Sequence, residues 1–158
     1  MTEQSPGSER EHQRRSAADL FLKVHDLDDT AGRPVVRLCN LIIGESLLTG
    51  GDELRILAPV DNAALIQLHR AGTWQEIMRV PAAIQPPLIN RLKVMASLDI
   101  AKQPLQRGTI KVRQRGEVLT LTIEIRLCED AEEASLRLPP RTTTYEEAGP
   151  LNPANESQ

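Results

Sequence analysis

From Glu117 to Leu127 the chain reads EVLTLTIEIRL. Leu119, Leu121, Ile123, Ile125 and Leu127 alternate there with Thr120, Thr122, Glu124 and Arg126. Successive side chains of a strand point to opposite faces, so this segment has one face to bury and one that water can wet. With TIKV before it and RQRG between, the pattern predicts an antiparallel hairpin. A hairpin cannot bury an apolar face by itself, so the rest of the chain must supply a cover.

Two segments qualify as that cover. PVVRLCNLIIGESLLTGG begins at Pro34, a residue suited to the first turn of a helix because its missing N–H is not needed there. Val35, Leu38, Cys39 and Ile42 form its apolar stripe, widened by Leu41, Ile43, Leu47 and Leu48, with Arg37, Asn40 and Gly44 on the other side. Gly50 and Gly51 close it. PPLINRLKVMASL is the second helix, with Leu88, Leu92, Met95 and Ala96 facing inward and Asn90, Arg91 and Lys93 outward. Between the helices, ELRIL, ALIQLH (Ile66 and Leu68 inward, Gln67 and His69 outward) and TWQEIMRV read as short strands. The expected fold is α+β, a small antiparallel sheet with two main helices packed on it.

The flanks differ from this body. Residues 1–32 are expected to be disordered or weakly helical, with Ser16 as a cap and Leu20, Val24 and Leu27 at helical spacing. Residues 129–158, acidic and proline-containing, are expected to form a disordered tail, which leaves 33–128 as the domain. Segments 1–32 and 129–158 carry net charges of −3 and −5, and 33–128 carries +5. Two readings fit: the ends solvate the domain, or the basic body meets an anionic partner.

Composition excludes several classes. The opening MTEQSPGSEREHQRR has no apolar core, so no secretory signal is expected. The apolar run from Val35 to Leu48 is broken by Arg37, Asn40, Gly44 and Glu45, and falls short of the roughly 20 residues needed to span a bilayer. Cys39 and Cys128 sit among aliphatic residues without C-x-x-C spacing, which suits reduced thiols in a cytoplasm. His12, His25 and His69 share no zinc spacing with them, so no metal site is expected. No G-x-x-x-x-G-K-[ST] loop occurs, so nothing here cradles a nucleotide's phosphates, and neither cofactor nor catalysis is expected.

The order of elements resembles a known family. PVVRLCNLIIGESLLTGGDELRI followed by PPLINRLKVMASLDIAKQPLQRGTIKVRQRGEVLTLTIEI is similar to the second N-terminal domain of bacterial type II secretion and type IV pilus assembly ATPases. RLKVMASLDIA, residues 91–101, is the most specific piece, matching the family's R-I-K-V-M-A-x-L-D-I-A, and PVVRLCNLI comes next. The resemblance covers about 33–127, without the catalytic domain, and implies a PAS-like fold. It also implies which positions would have reached ATP, because arginines of this small domain contact the nucleotide held by the neighbouring catalytic domain. The two arginines of the family's R-x-R-x-D-G fall on Gln67 and His69, and that of D-L-R-V-S on Thr122. Its S-D-I-H-I-E becomes Asp52 to Leu57, with Arg55 for the His and Leu57 for the Glu, and P-Q-D-G shortens to Gln106-Arg107-Gly108.

The basic group Lys102, Arg107, Lys111, Arg113 and Arg115 is the candidate binding patch. It holds no aromatic residue to stack a base, so an acidic protein surface suits it better than nucleic acid; a merely solvated strand and turn is the alternative. The expectation is a non-catalytic, cytoplasmic accessory or regulatory protein that binds a secretion or pilus assembly ATPase, or a cytoplasmic partner of one. A PAS-like ligand-sensing module and a degenerate remnant without partner are the alternatives.

Overall fold

A computed structural model describes residues 24–29 and 31–140. Strand β1 is Val24–Asp26 and helix α1 is Pro34–Leu48; β2, β3 and β4 are Glu53–Ile56, Ala63–Arg70 and Thr73–Pro81. A single 3₁₀ turn, Ala82–Ile84, leads into α2, Gln85–Met95. The chain continues as β5 (Leu105–Gln114), β6 (Glu117–Cys128) and β7 (Ala131–Arg137). The seven strands form one sheet in the order β1-β5-β6-β7-β2-β3-β4, and both helices cover one of its faces through a shared aliphatic core.

The expected helices form for the expected reasons. Pro34 occupies the first turn of α1, and Gly50 follows its last residues at φ +84°, a conformation that costs glycine little. A side chain on Gly51 would collide with Leu68, so the chain passes close over β3 there. Leu88, Leu92, Met95 and Ala96 are buried as their spacing requires. The hairpin turns at Arg115-Gly116, with φ +52° and +79°, the two left-handed residues that match the twist of the flanking strands. Leu119, Leu121, Ile123 and Ile125 are buried, and both cysteines are free. Full burial pushes the Cys39 thiol up to about 12, where it is a small apolar group.

The fold is α+β, but the sheet is larger than expected and mixed. Strand β1 pairs in parallel with β5, His25 beside Val112, where a weak helix was expected; the remainder of that segment, residues 1–23, lies outside the described residues. The tail expected over 129–158 contains β7, an interior strand bonded to β6 on one side and β2 on the other. Its acidic character masked the same period-two alternation: Glu132, Ala134 and Leu136 face inward, with Leu138 buried just beyond them. The segment 141–158 lies outside the described residues.

Five residues also lie on the other side from that expected. Lys93 is not on the outer face of α2; it is fully buried, because α2 is covered by both the sheet and the 97–104 loop. Asn40 and Gly44 are buried rather than outward, since α1 packs under the strand β1 end and under Gln114, whose Nε2 donates to Gly44 O at 3.1 Å. Leu41 and Leu48, expected to widen the buried stripe, are exposed. Among the described residues no helix is long and apolar enough to cross a membrane.

Candidate interaction surface

Helices cover one face of the sheet, and alternation sends the polar residues of β5, β6, β7, β2 and β3 to the other. The strand register arranges them in rows. Thr122 stands beside Arg137, Arg137 beside Glu53, and Glu53 beside His69. In the next row Arg107 stands beside Glu124, then Ser135, Arg55 and Gln67. Gln67, His69 and Thr122, scattered in the sequence, thus share one open face; three strand spacings put His69 and Thr122 about 14 Å apart.

Charges on this face are locally matched. Glu124 takes Arg107 Nε at 2.9 Å and Arg126 Nη2 at 3.0 Å. The hydrogen bond from Arg107, with the charges of both guanidiniums, holds the Glu124 carboxyl below the usual range. Glu53 Oε2 accepts from Ser135 Oγ at 2.6 Å and lies 3.5 Å from Arg55 Nε. Arg55 in turn stacks over the Trp74 ring, 4.1 Å from its centroid, while His69 Nδ1 meets Asp52 Oδ1 at 2.7 Å. Two shallow depressions of about 300 and 480 Å³ open between these residues, around Glu53, Glu124 and Ser135.

The sequence-derived basic patch divides. Arg107, Lys111 and Arg113 lie on this polar face at alternate positions of β5. Arg107 is tied to Glu124, whereas Lys111 and Arg113 have no ion-pair partner among the described residues. Arg115 sits at the hairpin turn, where its backbone N–H donates to Asp28 Oδ2 at 2.7 Å. Lys102 is drawn elsewhere, donating to Asp130 O at 2.7 Å. Arg137 extends the cationic side of the face. Sequence reading missed it because it fell in the supposed tail; the alternation of AEEASLRL was the available signal.

On this face Glu124 and Glu53 lie against arginines and Asp52 against His69, and among the described residues no His, Cys, Asp and Glu group could hold a metal. Lys111, Arg113 and Arg115 add cations at the β5 margin, where Asp26 stands in register beside Arg113 and Asp28 meets the turn.

No family model matches the chain. It is 30% identical over 129 residues to the type II secretion system protein E of Xanthomonas campestris pv. campestris, covering 81% of this chain and 22% of that protein. It is 33% identical over 84 residues to the type IV pilus assembly ATPase PilB of Myxococcus xanthus (52% and 15%), and 28% identical over 123 residues to the type II secretion system protein E of Pseudomonas aeruginosa (77% and 24%). The chain therefore spans about a quarter or less of the length of these relatives. The ATPase DotB of Legionella pneumophila aligns with 74% of this chain and 32% of that one, at 12% identity and a TM-score of 0.43, too little shared geometry to compare sites. The relatives agree with the motifs: the chain is related to the type II secretion and type IV pilus assembly ATPases.

Proposed function

We propose that this chain is a non-catalytic, cytoplasmic relative of the secretion and pilus assembly ATPases that binds such an ATPase, or a protein of its assembly, through the polar sheet face. The observation that carries this reading is the coincidence on one open face of Gln67, His69 and Thr122. These are the three positions where the related ATPases' motifs have arginines. A neutral amide, imidazole or hydroxyl cannot reproduce the charge-assisted, two-pronged bonds of a guanidinium to phosphate. The helix and strand motifs that carry the resemblance are kept in the sequence. Retained motifs with altered nucleotide chemistry suit a docking module that lacks those three arginines.

Arg107, Lys111, Arg113 and Arg115 would then set encounter and orientation. Their effect should fade with salt, because exposed charges are screened beyond about 10 Å at 0.1 M ionic strength. The test is the ATPase rate of a type II secretion or type IV pilus assembly ATPase from the same organism, measured against added protein at low and high salt. The rate should fall with added protein, less so at high salt, and Lys111→Glu with Arg113→Glu should weaken the effect. A rate unchanged at saturating protein, with no complex by light scattering at low salt, would refute the proposal.

A further inference from the structure

The helix layer carries a second surface, on the side of the molecule away from the polar sheet face. A groove of about 680 Å³ runs between the N-terminal part of α1 and the length of α2 from Pro86 to Val94. That span of helix is about 12 Å long, enough for a short extended segment. Its walls are apolar, formed by Pro34, Val35, Pro87 and Val94, and Arg33 and Arg91 flank it. Val94 is 52% exposed although its neighbours Lys93 and Met95 are fully buried, so an aliphatic side chain is left open to water on an otherwise well-packed helix.

The charge of the groove is one-sided. Among the described residues no acidic side chain lines it, and neither helix has an acidic residue in its first turn. Arg33, the residue preceding α1, makes no side-chain capping bond, and α1 has no acidic residue in its own first turn to offset the positive end of the helix. Arg91 is the stronger indication. Among the described residues it has no carboxylate partner; its terminal nitrogen reaches only His25 Nδ1, at 3.5 Å, and its Nε is buried without an acceptor. Partly buried guanidiniums ordinarily meet carboxylates or carbonyls, because a buried donor left unpaired has lost its water without a replacement. Burial and the neighbouring Arg91 hold the His25 pKa below its usual value, and an imidazole carries no negative charge in either protonation state, so it does not offset the guanidinium.

We propose that this groove docks a short segment of a partner protein that presents an aliphatic side chain next to a carboxylate. The aliphatic group would fill the space between Val35, Pro87 and Val94, removing their apolar surface from water. The carboxylate would accept charge-assisted bonds from Arg91 and Arg33. This surface is independent of the polar sheet face, and together the two would let one small domain bridge two proteins.

The probe is a random linear-peptide phage library selected on the full chain, with selected peptides measured by fluorescence anisotropy. Arg33→Glu and Val94→Asp alter exposed groove residues and should leave the melting temperature near that of the parent; Thr120→Glu, on the opposite face, is the control. Selected peptides should be enriched in Asp or Glu beside Leu, Ile or Val. Each groove variant should weaken them about tenfold or more, with Thr120→Glu without effect. Peptides without acidic enrichment, an empty selection, or binding that survives both groove variants would overturn the proposal. So would peptides that bind only after removal of residues 1–23 or 141–158, since the chain's own segment would then be the occupant.

Discussion

Lys93 Nζ lies 2.7 Å from Glu132 Oε2, with both side chains buried, joining the middle of α2 to the interior strand β7. Lys93 also donates to Ile100 O at 2.9 Å, so it anchors the loop after α2, while Gln85 Nε2 donates to Glu132 O at 2.7 Å from the start of the same helix. Breaking a buried pair by removing one partner leaves an uncompensated charge, which costs about 3–5 kcal/mol. Lys93→Ala and Glu132→Ala should each destabilise by that order in urea denaturation. The joint replacement Lys93→Met with Glu132→Leu should recover most of the loss, because neither charge is then stranded. Additive losses in the double mutant would show that the two residues are not coupled.

Leu92 and Val94 give a second test of the same helix. Leu92 is buried and Val94 half exposed. Leu92→Ala should cost about 2–5 kcal/mol through the cavity it leaves, and Val94→Ala should stay within about 0.5 kcal/mol of the parent. Matching unfolding midpoints for the two variants would contradict the observed helix face.

Strand β7 makes the domain boundary testable. A chain ended after Cys128 loses an interior strand, both of its hydrogen-bonded ladders and the partner of Lys93. It should lose cooperative thermal unfolding by circular dichroism. A chain ended after Pro140 keeps all of these and should melt within a few degrees of the full protein.

His25 predicts how stability responds to acid. Its folded pKa lies below the ordinary 6.5, through burial first and Arg91 second. The unfolded chain therefore binds a proton that the folded chain resists, so the stabilisation is complete above pH 6.5 and is lost as pH falls below it. Melting temperature should drop between pH 7 and 5, and His25→Gln should flatten that slope. A slope the same in both proteins would assign the acid sensitivity to other groups, such as Glu124, whose lowered carboxyl pKa acts at more acid pH.

Local periodicity, readable without any contact, determined much of this protein. The alternation of β6, the stripes of α1 and α2, Pro34 at a helix start and Gly116 at a hairpin turn each act within a few residues. Those segments formed as the sequence reading expected, and the motifs they carry identified the related ATPases. Tertiary structure decided what depends on distant partners. Glu132 and Lys93 each look like surface residues in their own segments, and only the meeting of β7 with α2 makes their burial tolerable, since a charge leaves water only where an opposite one receives it. The acidity of 129–137 therefore concealed a strand. The gathering of Gln67, His69 and Thr122 on one face, and the opening of a groove between α1 and α2, likewise follow from strand order and helix packing. Spacing along the chain carries no record of either.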